Sequence, residues 1–311
     1  MNNGAMGMDI YDIIIIGGGA AGMSAAIYAV RGGMKTLVLE RLAIGGQAAK
    51  TYEIDNYPGF YNTPSGPDLM ADFKKHAEKL GVLIRTEAVR DIINIDGDIK
   101  TVKTRRGEYN TKTVIFALGA SPKKLGAKGE AELTGAGVSY CATCDGAFFK
   151  DKVVGVVGGG NSALQEAVLL SDLCEKVYVF QNLAFLTGEK KLVDILSNKD
   201  NVEFVLEATV AELKGDSELT GVILNTAQGE KEVSLDGLFV AIGLEPKNSA
   251  FAETAALDKN GYFDSDESCV TKTEGIFVAG DCRQKSIRQI TTASADGAVA
   301  ALAACRYIDN K

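Results

Sequence analysis

Tryptophan is absent from this chain, and its 311 residues include only 5 prolines and 1 histidine. A structural zinc site needs about four thiolate or imidazole ligands. With His76 alone and a single Cys-x-x-Cys, that ligand set is missing, and no metal is expected. A basic excess is also missing: 33 Lys and Arg face 41 Asp and Glu, a net charge of −8, which argues against a nucleic-acid binder. No apolar run reaches the roughly 18 residues of a membrane span. No secretory leader is visible, so a disulfide scaffold is not expected and a cytoplasmic location is. His76 lies near no motif and reads as part of a solvated helix face.

What is present is the composition of a globular protein, 46% apolar and 24% charged, long enough for two domains. Glycine is abundant, at 35 residues. Glycines let backbone approach phosphates and pack tightly where strands turn into helices. Residues 1–7, MNNGAMG, read as an added leader or alternative start before Met8 and are set aside.

Residues 11–40 read as one β-α-β unit. Tyr11 to Ile16 is an apolar strand, Gly17-Gly18-Gly19-Ala20-Ala21-Gly22 a turn, Met23 to Arg31 an alanine-rich helix, and Thr36 to Leu39 a second strand ending at Glu40. This is G-x-G-x-x-G in its full context, with an acid about twenty residues on. Gly17, Gly19 and Gly22 would let the backbone approach a pyrophosphate at the helix N-terminus, and Glu40 would accept from a ribose. Residues 152–181 repeat the pattern, with strand Lys152 to Val157, turn Gly158-Gly159-Gly160-Asn161-Ser162-Ala163, helix to Leu173 and strand Val177 to Phe180.

This duplication predicts an α/β fold of two Rossmann-like, three-layer dinucleotide-binding domains. The strand ending at Gly280-Asp281 and the alanine-rich helix from about Thr291 to Tyr307 read as a return to the first domain. Two matched strand–Gly–Pro stretches, 113–122 and 237–246, would be the crossings. The expected domains are 8–119 with 247–311, and an inserted 120–246.

Between the fingerprints stands Cys141-Ala142-Thr143-Cys144-Asp145. A Cys-x-x-Cys alone is open to zinc, structural-disulfide and redox readings. Two flanking dinucleotide folds put the redox reading ahead, since a thiolate is the nucleophile of disulfide exchange and a neighbouring carboxylate can move the proton. A second role for Asp145, capping a helix N-terminus, is compatible with that. Cys174, Cys269, Cys282 and Cys305 read as buried small apolar side chains.

From about Met8 onward the chain resembles the low-molecular-weight thioredoxin reductases. The resemblance rests on both fingerprints, the Cys141–Asp145 motif, the crossing strands, Gly45-Gly46-Gln47, Asn56-Tyr57-Pro58-Gly59, and Gly280-Asp281 through Arg288-Gln289 into the last helix. It implies FAD in the first domain, with Gly17, Gly19, Gly22 and Glu40 on the dinucleotide, Asp281 on the ribityl chain, and Gly46, Gln47, Asn56, Arg288 and Gln289 around the flavin. It implies a redox disulfide Cys141–Cys144, Cys144 nearer the flavin, and Asp145 as general acid. Thioredoxin as substrate, a rotation between domains that exposes the dithiol, and a homodimer are implied as well.

The second fingerprint departs from the family pattern. Where the first ends on Glu40, the equivalent residue is Gln181, followed by Asn182, Leu183 and, further on, Thr187. In NADPH-dependent relatives these last three positions resemble arginines that grip the 2′-phosphate. Charge-assisted hydrogen bonds contribute about 1.5–3 kcal/mol each, so losing two costs roughly 3–6 kcal/mol, or about 10²- to 10⁴-fold in affinity. NADH would want an acid where Gln181 stands, and Gln181 is a weaker, neutral partner for a ribose. The pattern resembles the subgroup of thioredoxin reductases that take electrons from reduced ferredoxin, for which Lys123, Lys124, Lys128, Lys190 and Lys191 are a candidate docking patch. NADH or NADPH as donor, and a flavin-binding redox sensor without efficient turnover, are the alternatives.

Overall fold

The computed structural model describes residues 10–50, 54 and 56–311. The leader 1–7 and Met8 lie outside the described residues. The chain divides into two compact units, one of Met1–Ser121 with Glu245–Lys311 and one of Pro122–Leu244.

The first unit opens with β1 (Ile10–Ile16), α1 (Ala20–Arg31), β2 (Thr36–Glu40), α2 (Gly66–Lys79), β3 (Leu83–Thr86), β4 (Val89–Ile93), β5 (Lys100–Thr104) and β6 (Glu108–Phe116). The chain then crosses through β7 (Ala120–Pro122). The second unit runs α3 (Glu130–Leu133), β8 (Val138–Ser139), α4 (Ala142–Asp145), β9 (Val153–Val157), α5 (Asn161–Ser171), β10 (Lys176–Phe180), α6 (Lys190–Ser197), β11 (Val202–Val205), β12 (Thr209–Lys214), β13 (Gly221–Thr226), β14 (Gly229–Ser234) and β15 (Gly237–Val240). It leaves through β16 (Leu244–Pro246), which pairs with β7, and the first unit resumes with β17 (Ile276–Val278) and α7 (Ile290–Asp309).

The first sheet has the order β3-β2-β1-β6-β5-β4. Strands β1, β2, β3 and β6 pair in parallel, and β17 joins β6 in parallel along Val114–Phe116. Its run of four isoleucines is buried on both faces, as a parallel sheet covered on two sides requires. Ile13 and Ile15 pack with α1 and α7, while Ile14 and Ile16 face Phe116, Phe251 and Phe263. Small residues bring α1 and α7 close: a Cβ on Gly297 would stand 2.2 Å from the Ala21 carbonyl oxygen. The second unit repeats the scheme with the all-parallel sheet β11-β10-β9-β15-β8, beside an antiparallel β12-β13-β14. Both units are Rossmann-like.

Beneath the 280–283 turn lies a buried charge cluster with no counterpart in the sequence reading. Arg283 is fully buried and grips Asp296 on α7 through Nε at 2.8 Å and Nη2 at 3.0 Å. Asp296 Oδ2 also accepts from Lys285 Nζ and from the Gly280 N–H, each at 2.9 Å. Burial acts to raise the Asp296 value, and the bonds from Arg283 and Lys285 outweigh it and hold the carboxyl below its ordinary range.

Without Asp296 the buried Arg283 keeps only the exposed Glu267 carboxylate, 2.8 Å from its Nη2, and breaking a buried pair costs about 3–5 kcal/mol. Asp296→Ala should lower unfolding free energy by that amount in denaturant titrations at neutral pH. Because the folded-state value lies below the unfolded one, this stabilisation is present above about pH 4 and fades as pH falls through the folded value. The gap between wild type and variant should therefore narrow in acid; a gap that widens would contradict the assignment.

Candidate functional site

In the first unit the glycine turn follows directly from β1. Gly17 has φ +111°, and a Cβ there would stand 2.2 Å from the Ala117 carbonyl oxygen. A Cβ on Gly22 would stand 1.9 Å from the Gly17 oxygen. These two glycines are demanded by main chain packing on main chain. Gly19 differs, since its Cβ would meet nothing nearer than Gly46 Cα at 3.9 Å. The space it leaves open, at the residue before the first turn of α1, is where the backbone can approach a ligand phosphate.

The other expected contact residues of this unit gather around the same turn. Glu40, at the end of β2, accepts from the Gly18 N–H at 2.7 Å through one oxygen and from the Leu42 N–H at 3.0 Å through the other. Each oxygen keeps a lone pair for a ribose hydroxyl. Gly46 has φ +60°, and a Cβ on it would meet Gly19 Cα at 3.3 Å, so this loop lies along the turn. Gln47 reaches Ser121 Oγ at 3.2 Å, and Asn56 donates to Gln289 Oε1 at 3.5 Å. Gly280, φ +78°, packs against the first turn of α1, since its Cβ would stand 2.8 Å from Ala21 Cβ.

Asp281 follows Gly280, and its Oδ1 is buried with no hydrogen-bond partner. Burial pushes its carboxyl up to about 6 against the pull of Lys285 and Arg288. Arg288 donates to the Asp281 and Arg283 carbonyls at 3.4 Å and lies over the Tyr262 ring, 4.2 Å from its centroid. A sealed, orphaned carboxylate oxygen is costly unless a donor completes it. A polyol hydroxyl would do so. The open space at Gly19, the free lone pairs of Glu40 and the orphan at Asp281 together fit FAD.

In the second unit Cys141 and Cys144 are joined as a disulfide, with Cα atoms 5.3 Å apart, at the first and fourth positions of the one-turn segment Cys141–Asp145. The Cys144 and Asp145 N–H groups donate back to the Cys141 carbonyl at 3.2 and 3.1 Å. Asp145 does not cap a helix: it makes no capping bond, because its Oδ2 instead accepts from Ser139 Oγ at 2.6 Å. Burial raises the Asp145 carboxyl above its ordinary value, and the Ser139 hydroxyl opposes this. A half-buried acid four residues from the first sulfur is equipped to hold and release a proton. Ser139, which also accepts from the Cys141 N–H at 3.1 Å, had no signal in the sequence.

The second glycine turn resembles the first in its backbone. Gly158 has φ +132°, and its Cβ would stand 2.6 Å from the Ala241 oxygen. Gln181 occupies the place of Glu40 but is buried, at 6% exposure. Its amide is committed inward, Nε2 donating to the Phe185 carbonyl at 3.2 Å and Oε1 accepting from the Asn182 N–H at 3.1 Å. One N–H and one lone pair of the amide are thereby engaged within its own loop. Asn182, Leu183 and Thr187 are exposed. Among the lysines of the candidate patch, Lys128 pairs with Glu212 at 2.9 Å and Lys124 bonds the Tyr140 hydroxyl at 2.8 Å. Lys123, Lys190 and Lys191 are exposed.

Cys174, Cys269, Cys282 and Cys305 are free and buried, with burial raising each thiol. His76 is exposed on α2. Among the described residues no helix is long and apolar enough to cross a membrane.

The family model for pyridine nucleotide-disulphide oxidoreductase matches residues 11–297. A thioredoxin reductase of Peptoclostridium litorale is 42% identical, covering 97% of this chain and 98% of its own. One from Bacillus subtilis is 41% identical, covering 96% and 95%. The crystal structure of a thioredoxin reductase from Streptococcus pyogenes superposes with a TM-score of 0.87 at 39% identity, covering 97% of this chain and 99% of that one.

A hydrogen bond to a charged group contributes about 1.5–3 kcal/mol, or roughly 10- to 150-fold in affinity. Asp281→Ala should weaken FAD binding by that factor, read from the quenching of flavin fluorescence on binding. An unchanged dissociation constant would remove Asp281 from the site.

Proposed function

This chain belongs to the pyridine nucleotide-disulphide oxidoreductases, in the thioredoxin reductase group, and on that premise we propose that it reduces thioredoxin through FAD and the Cys141–Cys144 couple, with reduced ferredoxin as electron donor. The observation that carries the reading is the disulfide Cys141–Cys144 with the half-buried, Ser139-bonded carboxyl of Asp145 beside it. Gly17, Gly19, Gly22, Glu40, Gly46, Gln47, Asn56, Asp281, Arg288 and Gln289 would hold FAD, which when bound would supply the two-electron chemistry that a disulfide needs.

An electron pair arriving at the Cys141–Cys144 bond breaks it, and one sulfur takes a proton while the other remains a thiolate. That thiolate attacks a sulfur of the thioredoxin disulfide and forms a mixed disulfide. The second thiol of the pair then resolves it, re-forming the Cys141–Cys144 bond and releasing thioredoxin as a dithiol. Asp145 protonates the first departing thioredoxin thiolate and recovers its proton from the resolving thiol, and the second thioredoxin sulfur takes its proton from solvent.

Two features favour a donor other than a nicotinamide nucleotide. Asn182, Leu183 and Thr187 put no cation where a 2′-phosphate would need one. Gln181 is buried and neutral, and it bonds within its own loop where Glu40 offers a carboxylate. Ferredoxin needs no such pocket. Lys123, Lys190 and Lys191, exposed on a protein of net charge −8, are the groups of the expected patch that remain to meet an acidic partner.

Anaerobic titration of the FAD-loaded protein tests the donor. Reduced ferredoxin should bleach the flavin absorbance, whereas NADPH and NADH at matched concentration should leave it; rapid bleaching by either nucleotide would overturn the ferredoxin reading. Asn182→Arg with Leu183→Arg should tighten NADPH binding by about 10²- to 10⁴-fold at two charge-assisted bonds. Cys144→Ser should abolish thioredoxin reduction while the protein stays yellow. Retained turnover in that variant would end the dithiol mechanism.

A further inference from the structure

Ser139 ends β8, where it pairs with Phe239 of β15 in the parallel sheet of the second unit. It is buried, and its hydroxyl oxygen meets three polar groups, all on the redox segment. These are the Cys141 N–H at 3.1 Å, Asp145 Oδ2 at 2.6 Å and the Cys141 carbonyl oxygen at 3.4 Å. A serine often accepts from the N–H two residues on, and that bond alone shapes a turn. The bond to Asp145 is additional, reaches six residues along the chain and is the shortest of the three. Among the described residues, no other side chain bonds the Asp145 carboxyl.

A hydroxyl has one hydrogen and two lone pairs. That inventory suits both charge states of its neighbour. With Asp145 ionised, the Ser139 hydrogen points to Oδ2, and a lone pair takes the Cys141 N–H. With Asp145 protonated, the carboxyl O–H donates to Ser139 Oγ. The Cys141 N–H keeps the other lone pair, and the serine hydrogen turns to the Cys141 carbonyl. We propose that Ser139 is a positioning residue for the Asp145 acid, a hydroxyl that turns its hydrogen as the carboxyl gains and loses a proton and that ties this carboxyl to the main chain of Cys141. Ser139 keeps its own hydrogen throughout; the proton that moves is the one on Asp145. The inference rests on the reading of Asp145 as the acid of the dithiol couple. It goes beyond that reading, which requires no particular neighbour for the acid.

The surroundings leave the hydroxyl as the group that tunes this carboxyl. Helix α4 packs against α5 and against the following turn, Gly146–Phe149. The turn carries no titratable group, and α5 carries only Glu166. Tyr140, between β8 and Cys141, is turned away to Glu130 at 2.6 Å. None of these groups moves the Asp145 carboxyl, which burial raises and the Ser139 hydroxyl lowers. The lowering has a simple cause. A bond donated to an ionised carboxylate is shorter and stronger than one made with the neutral acid.

The test is an infrared titration of the FAD-loaded protein with the disulfide closed. It follows the protonated-carboxyl band that Asp145→Asn removes. The difference between a charge-assisted and a neutral bond is about tenfold in the ionisation constant, so Ser139→Ala should raise the midpoint by about one pH unit. Ser139→Thr, which keeps the hydroxyl, should return the midpoint to the wild-type value. An unmoved midpoint in Ser139→Ala, or one raised as far in Ser139→Thr, would overturn the proposal. A second readout needs no substitution at position 139. In wild-type protein labelled at the cysteine nitrogens, the Cys141 amide resonance should titrate with the same midpoint, because the hydroxyl that accepts its bond turns as Asp145 ionises. A Cys141 amide indifferent to that titration would sink the idea equally. Neither measurement involves thioredoxin or an electron donor. A failure of the proposed substrate would leave both results standing, so the two failures are distinguishable.

Discussion

Main chain packed directly on main chain, where a strand turns into a helix, is the constraint on which both units depend. Gly17 sits under the Ala117 carbonyl, and the Gly17 carbonyl in turn sits where any side chain at position 22 would have to go. The second unit does the same with Gly158 under the Ala241 carbonyl, and tolerates Ala163 where the first has Gly22. Because helix and sheet meet without side chains between them, the first amides of the helix open beside the strand ends. Everything else in the first unit is arranged around that opening: Glu40 at the end of the next strand, the 45–46 loop along the turn, and the 280–281 turn against α1.

The same geometry explains why a glycine fingerprint is an incomplete guide to a ligand. Two of the three motif glycines in the first unit are needed for packing alone, and Gly158 serves the same purpose in the second. The turn can therefore persist after a nucleotide is no longer wanted. What distinguishes the two units chemically is what stands at the end of the second strand. Glu40 keeps lone pairs for a partner; Gln181 is buried and closed on its own loop.

Much of the architecture was legible because it is local and periodic. A buried apolar strand, a glycine turn and an alanine-rich helix read in sequence order, twice, and both β-α-β units formed over nearly the expected residues. The pairing of Cys141 with Cys144 was likewise within reach of spacing and resemblance. What was not legible depends on contacts distant in sequence. Ser139 gives no sign that it will serve Asp145, and a helix cap was a second, compatible role for Asp145 beside holding a proton. Asp296 had one signal available, a single acid embedded in an alanine-rich run. Such an acid must be matched by something brought from elsewhere. For Asp296 it is Arg283 and Lys285.

The pairing of β7 with β16 has a consequence for how such a chain can change. The inserted unit enters at Pro122 and leaves at Leu244, and those two points are side by side in one small ribbon. A segment whose ends already meet adds little loop-closure entropy to the host that carries it. It can be lengthened, replaced or handed a new electron source while the host sheet keeps its register. Modularity of this kind lets one half of a chain change its pocket without disturbing the other.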